Sequence, residues 1–492
     1  MITGVYAARH LIGGAWSEEG EPFESRATTD GGVLCRAPAA DPKTVDRAVA
    51  AARSAFDESD WKDRRAADRA SVLLELGARL DAQAEEIAEL VAREMGKPIR
   101  LALDREVRGA ADKFRYFAGA ARAIEGQVTG ASPAAVLDLT IPQPVGVCAL
   151  IVPWNDPVDL AVRKLGAALA AGCTAVVKPS EETPASTEAL IRLFDDVPGL
   201  PPGVVNMVHG PGAPTGEALV SHPGVDKVSF TGSTATGRRI MQLAAGTLKR
   251  LSLECGGKAA CLVFEDAYFE KALDALSYGA FLYGGQSCTA ATRIIVQRPL
   301  YDRFVSELVE RAEQLPVGDP LDPETLVGPL VSERQVERVR SFLESVEEDG
   351  ATVAAGGEID GLFVRPTVVT DVRPESRIAS EEVFGPVVCV FAADGEDEAV
   401  ELANGVRYGL GASVWTSDVS RAVRVARRLE AGDVWVNTHY VRQAETPFGG
   451  WKESGLGREL GMAGMQEYLA YKRVALDTRP DFHLKTWFER RI

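Results

Sequence analysis

Apolar residues recur at helical spacing through 43–125. Ala-Val-Ala-Ala-Ala-Arg at 48–53, Leu73-Leu74-Glu75-Leu76 and Glu85-Glu86-Ile87-Ala88-Glu89-Leu90 all fit a 3.6-residue period. The pattern then changes. Val145 to Val152 is a nearly continuous apolar run, broken by Gly146 and closed by Pro153, which reads as a buried strand. Thr174–Val177, ending at Lys178-Pro179, Val204–Val208 and Lys227–Phe230 read as further strands. Helical stretches at 158–171, 184–196 and 212–221 alternate with them, as in a parallel, doubly wound sheet. A second α/β pattern follows, with strands at Cys261–Phe264, Arg293–Val296, Val387–Val390 and Asp433–Val436. Helices are expected near 267–282, 299–314, 332–348 and 418–431, and the boundary between the halves near Glu254–Gly257.

A chain of 492 residues can bury a large core and suggests two or three domains. Its net charge of −17 argues against broad nucleic-acid or anionic-membrane binding and is enough to account for solubility. No apolar run approaches the roughly 20 residues that span a bilayer. The first ten residues lack a basic region followed by a long apolar stretch, so no secretory signal is expected. Seven cysteines without CxxC spacing, and five histidines without i,i+4 pairing, argue for reduced thiols, a cytoplasmic location and no dedicated metal site.

Gly-Gly-Gln-Ser-Cys-Thr at 284–289 sets Cys288 after a glycine pair, with a hydroxyl residue on each side. A thiol in such lean, polar surroundings is placed for use, because a thiolate attacks carbonyl carbon and glycines permit close approach. Small polar residues also surround cysteines in ordinary turns, so the segment needs partners elsewhere. Asn155, in Pro153-Trp154-Asn155 at a strand end, offers an amide donor for a developing oxyanion, or is simply a turn asparagine. Lys178 and Glu181 close the next strand, where they either hold a ribose diol or form a solvated turn. Phe230-Thr231-Gly232-Ser233 leads into a helix whose N-terminus suits a phosphate; Ser233 as a plain N-cap is the simpler reading. Glu254, beside Cys255-Gly256-Gly257-Lys258, is either a carboxyl with a raised pKa able to act as a base or a structural acid paired with Lys258.

In this order and at these separations, PWN at 153–155, KPSE at 178–181, FTGS at 230–233, ECGGK at 254–258, GQSC at 285–288, EEVFGPV at 381–387 and PFGGWKESGLGRE at 447–459 resemble the aldehyde dehydrogenase superfamily across essentially the whole chain. The resemblance is to the NAD(P)-dependent hydrolytic type, with some likeness to the semialdehyde dehydrogenases. It implies an α/β fold with two doubly wound parallel-sheet domains and a small β arm for oligomerisation. The dinucleotide-binding domain would take 1–124 and 146–254, the catalytic domain 255–453, and the arm 125–145 with 469–478. A homodimer or homotetramer is expected. The tail 479–492 runs past the matching region, and packing on a neighbouring subunit is its expected place.

The resemblance also implies roles. Cys288 attacks the aldehyde to give a thiohemiacetal, its oxyanion held by Asn155 and the Cys288 N–H; hydride leaves for NAD+, and Glu254 activates the water that hydrolyses the thioester. Trp154, Lys178, Glu181, Gly232, Ser233, Glu382 and Phe384 would hold the cofactor, and Lys164 and Glu459 would relay protons. Glu181 favours NAD+ over NADP+, since a carboxylate repels a 2′-phosphate; NADP+ is the weaker alternative. Some positions depart from the family pattern. Cys255 replaces the usual leucine, and Asp156 replaces the tunnel aromatic after the asparagine, although Asp156-Pro157 also makes a good N-cap. Arg163 matches an arginine of succinate-semialdehyde dehydrogenases, or else pairs with Asp159 one helical turn away. The second arginine of that group is Leu282 here, and Arg442 is its potential replacement. Asp156, Arg163 and Arg442 therefore make the expected substrate a polar aldehyde or a semialdehyde. A CoA-acylating enzyme is the alternative within the class, opposed by Glu254; a non-catalytic protein of the same fold is the alternative outside it, opposed by Cys288, Glu254 and Asn155 together.

Overall fold

A computed structural model describes residues 4–130, 132 and 135–478; the tail 479–492 lies outside the described residues. Two large sheets dominate. In the first, Arg250–Glu254, Lys227–Thr231, Val147–Ile151, Thr174–Lys178 and Val205–Met207 run parallel in that spatial order. Antiparallel strands flank them, Gly455–Leu456 at one edge and the hairpin His10–Ile12 with Ala15–Ser17 at the other. The parallel strands are apolar along their length because helices cover both faces. Pro157–Ala171 is buried along its whole length, and it meets the helices Ala66–Ala82 and Arg108–Ala121 in the largest hydrophobic cluster. The chain leaves this sheet at Glu254 and enters the second at Ala260.

The second sheet orders Thr352–Ala355, Thr367–Thr370, Val387–Ala393, Arg293–Gln297, Ala260–Val263, Gly411–Trp415 and Asp433–Val436, all parallel except the first. A separate antiparallel sheet pairs Val136–Pro144 with Leu469–Asp477 along nine residues, with Gln127–Val128 outside. Asp138 in the first long strand of this sheet accepts two hydrogen bonds from Arg473, at 2.7 and 2.8 Å.

The periodicity places the helices well but misses three features. Gly411–Trp415 and Thr367–Thr370 are wholly buried and show no alternation, and at four or five residues they are too short for periodicity to separate strand from helix. The stretch 212–221 is not one helix: Ala213 is extended, and a regular helix begins only at Glu217. Within 43–125, a π-turn at Ala102–Val107 interrupts the helical run. Such turns re-aim side chains. Here Glu106 is buried, where its carboxylate meets Lys97 and accepts the Val158 N–H at 2.9 Å.

Candidate active site

Three strands of the first sheet end at one crevice. Val147–Ile151 leads to Trp154 and Asn155, Thr174–Lys178 to Glu181, and Lys227–Thr231 to Gly232 and Ser233. The carboxyl ends of parallel strands are where open α/β sheets take ligands. The crevice holds a cavity of about 670 Å³, lined by Trp154, Lys178, Glu181, Gly232 and Ser233 among others. An adjoining cavity of about 410 Å³ shares Trp154, Gly232 and Ser233 and is also lined by Asn155, Cys288, Glu382 and Phe384. The Phe384 ring packs edge-on to Trp154 at 5.2 Å, and the Glu382 carboxylate accepts the Gly257 N–H at 2.9 Å. Ser233 caps its own helix, accepting from Thr236 N at 3.2 Å, so the simpler reading holds for its hydroxyl.

Cys288 is half-buried, on the loop that follows Phe269–Phe281. Tyr283, Gly284 and Gly285 all adopt positive φ, turning the chain sharply before Cys288. The glycine pair serves this turn, and Gly285 admits the backbone carbonyl of Gly385 where a Cβ would clash. Gln286 is fully buried and locks the loop. Its amide donates to Tyr283 O at 3.0 Å and accepts from Val331 N at 2.9 Å. The Asn155 amide donates to Gln286 O at 3.2 Å, which fixes one of its N–H bonds and leaves the other free. The Cys288 N–H has no acceptor among the described residues.

A third cavity, about 620 Å³, opens on the other side, lined by Asp156, Arg163, Tyr283, Tyr440 and Arg442 among others. Arg442 donates to the hydroxyl of Thr289, next to Cys288, and lies over the rings of Phe448 and Tyr440. Arg163 reaches the cavity wall, but its guanidinium is committed to Asp159, at 2.6 and 2.8 Å. Asp156 takes the N-cap position, with Pro157 in the first helical turn, yet its side chain makes no cap hydrogen bond. Its carboxylate turns instead to Lys97 Nζ at 2.6 Å, and Glu106 takes the free N–H of that helix.

A sequence profile of the Aldehyde dehydrogenase family matches residues 16–474. The chain belongs to the aldehyde dehydrogenase family. Its relatives include an aldehyde dehydrogenase of Aspergillus niger, 40% identical over 475 residues and covering 96% of this chain and 94% of that one. The 2-aminomuconic semialdehyde dehydrogenase of Bos taurus is 40% identical over 466 residues, 93% and 95% of the two chains. Among solved structures, the NAD+ complex of an aldehyde dehydrogenase from Bacillus cereus superposes with a TM-score of 0.94 at 41% identity, covering 96% and 97%. A betaine aldehyde dehydrogenase from Staphylococcus aureus in complex with NAD+ gives 0.95 at 35% identity, covering 98% and 97%.

The charges around this aldehyde dehydrogenase's thiol are set by burial. Burial pushes the Cys288 thiol up to about 11, and Arg442 is the strongest charge pulling it back. Glu254 is raised well above the usual carboxylate range, first by burial and then by the nearby Glu459. Among the described residues neither Glu254 oxygen has a hydrogen-bond partner, and the Lys258 ammonium has none either, so the pairing of Glu254 with Lys258 is not formed. Lys164 bonds Glu459 and, at 2.7 Å, the Thr231 hydroxyl. Burial holds Glu382 near 7 and lowers Lys178 to about 8. The Lys178 ammonium lies 4.0 Å from Glu181 and uses one proton on Pro179 O at 2.7 Å, leaving donors for a ligand in the crevice.

Sequence reasoning gave no role to Lys97, Glu106, Tyr283, Tyr440 or Gln286. Gln286 lay inside a quoted motif, and its place beside the cysteine was the available signal. Lys97 and Glu106 carry no local signal, because they meet Asp156 only in the fold, Glu106 from the π-turn and Lys97 from the segment before it.

Proposed function

We propose that this protein oxidises an aldehyde to the carboxylic acid with NAD+, using Cys288 as nucleophile. The observation that carries the reading is the Cys288 thiol and Asn155 on one cavity that adjoins the nucleotide-sized crevice, with Arg442 of the separate polar cavity bonded to Thr289 beside the thiol. The Cys288 sulfur adds to the carbonyl carbon, and the oxygen gains the free Asn155 N–H and the unpaired Cys288 N–H as donors. NAD+, when bound, supplies the hydride acceptor. Glu254 takes the thiol proton and later that of the water that hydrolyses the acyl thioester on Cys288. Lys164 and Glu459 carry protons onward from Glu254.

The crevice suits a dinucleotide. Lys178 and Glu181 would take the adenosine ribose, the exposed N-terminus of Thr234–Ala244 at Ser233 the pyrophosphate, and Glu382 and Phe384 the nicotinamide ribose. Replacing Glu181 by glutamine removes the charge that repels a 2′-phosphate. NADP+ affinity should rise about tenfold against NAD+, read by fluorescence titration of both reduced cofactors.

The substrate reading is a polar aldehyde bearing a carboxylate. Arg442 supports it better than Arg163: among the described residues no carboxylate lies within ion-pair distance of it, Asp433 being an acid that feels its charge, and its buried Nε has no acceptor. Arg442→Gln should raise KM for succinate semialdehyde roughly tenfold or more while leaving the KM for hexanal within about twofold. Equal effects on both would remove the carboxylate reading.

NADH release from aldehyde, measured with and without CoA, tests the whole proposal. Release without CoA, with the free acid as product, excludes the acylating alternative. No release with any aldehyde, together with no iodoacetamide labelling of Cys288, would leave only the non-catalytic one. The first large sheet would be the dinucleotide-binding domain and the second the catalytic domain, with 125–145 and 469–478 pairing subunits into a dimer or a dimer of dimers. No described helix is long and apolar enough to cross a membrane. All seven cysteines are unpaired, which supports a cytoplasmic location.

A further inference from the structure

Beneath the polar cavity lies a charged cluster that the reaction does not require. Lys97 is fully buried. Its ammonium bonds Glu106 and Asp156 and lies 4.3 Å from the Tyr283 ring centre. Glu106 has both oxygens engaged, one by Lys97 and one by the Val158 N–H. Asp156 differs. Only Oδ1 is bonded, to Lys97 at 2.6 Å, and its other oxygen has no partner among the described residues. The residue forms part of the cavity wall and is 9% exposed.

One cation thus serves two carboxylates; burial, and then the Asp156 charge, raise Glu106 to about 7, and the second Asp156 oxygen is left without a partner among the described residues. Burial alone would lower the Lys97 pKa, but the two carboxylates raise it, so the cation persists. The other acid deep in the wall, Asp159, already has two cations against it, Arg163 at 2.6 Å and Lys113 at 2.7 Å. A nearly buried carboxylate oxygen held in place by Lys97, but itself unpaired, is an acceptor waiting for a donor.

We propose that Asp156 is a specificity determinant: it accepts a hydrogen bond from a hydroxyl or amino group carried by the aldehyde. The inference deepens the aldehyde dehydrogenase reading and rests on it. Together with Arg442 on the same cavity, it defines a substrate carrying both a donor and a carboxylate, rather than a plain alkyl aldehyde.

The test compares kcat/KM for 3-hydroxypropanal and 3-aminopropanal with that for propanal. The wild type should favour the donor-bearing aldehydes by roughly tenfold or more, since a site built to bond a polar group discriminates strongly against its absence. Asp156→Leu leaves Lys97 and Glu106 as a balanced pair and should bring both ratios to about one, mainly through KM. Asp156→Asn keeps the shape and an acceptor oxygen, so it should retain much of the hydroxyl preference and lose the amino preference. A second readout needs no turnover. Propane-1,3-diol and 3-amino-1-propanol should protect Cys288 from iodoacetamide better than 1-propanol, and Asp156→Leu should abolish the difference. Ratios and protection unchanged in Asp156→Leu would overturn the proposal. Wild-type protein that releases no NADH from any of the three aldehydes would instead sink the activity, and the protection pattern would still decide the role of Asp156.

Discussion

Cys288→Ser is expected to abolish aldehyde oxidation, with kcat/KM falling by about 10⁴-fold or more. The exchange changes one atom, so the fold and the loop locked by Gln286 should persist. The chemistry should not. Burial already holds the thiol near 11, with Arg442 as the main charge pulling it back. A serine hydroxyl is far less acidic and is a weaker nucleophile, and a raised Glu254 cannot make up the difference. Steady-state NADH release should be lost while NAD+ binding, followed by quenching of Trp154 fluorescence, stays within about twofold. Retained oxidation in the serine variant would remove Cys288 as nucleophile.

Glu254→Gln is expected to lower steady-state kcat by about 10²- to 10⁴-fold, the usual range for loss of a positioned base. The defect should fall on hydrolysis of the thioester. A burst of NADH, one per active site and slowed by loss of the thiol's proton acceptor, should therefore precede a much slower steady rate. Loss of the burst together with the steady rate would show that the base is already required in the first step. The pH profile gives a second check. The base acts only when deprotonated, and its folded-state pKa lies well above the ordinary carboxylate value. Wild-type kcat should thus climb as pH rises through that raised value, and the limb should vanish in the glutamine variant. Stability runs the opposite way. In the window between the ordinary and the raised value, the folded state keeps a proton that the unfolded chain has released. Stability conferred by this group is full below the ordinary value and is lost as pH rises through the window, so Glu254→Gln should gain on the wild type at alkaline pH.

Much of this was legible along the chain. The strand ending at Pro153 could be read because Val147–Ile151 is buried on both faces and therefore nearly all apolar. The long helix after it was legible for the same reason: Pro157 marks its start, and Gly172, at positive φ, ends it. Cys288, Asn155 and Glu254 were legible as spaced motifs, and the fold brings the first two to one cavity. What the sequence could not carry were the pairings between distant segments. Arg163 reads equally well as a substrate ligand or a helical ion pair, and packing against Asp159 and Lys113 decides for the pair in this structure.

By itself the sequence determined the α/β architecture, the order of the motifs and the chemistry available to them. Those depend on local periodicity and on residue types at fixed spacing. Only the tertiary structure decided the electrostatics, because a pKa and an unpaired oxygen depend on neighbours hundreds of residues away and on the water they exclude. Asp156 shows the difference. In the sequence it is a helix cap before a proline or, by the resemblance, a tunnel residue; in the fold the π-turn delivers Glu106 to do the capping, Lys97 takes one Asp156 oxygen, and the other has no partner among the described residues at the wall of the polar cavity.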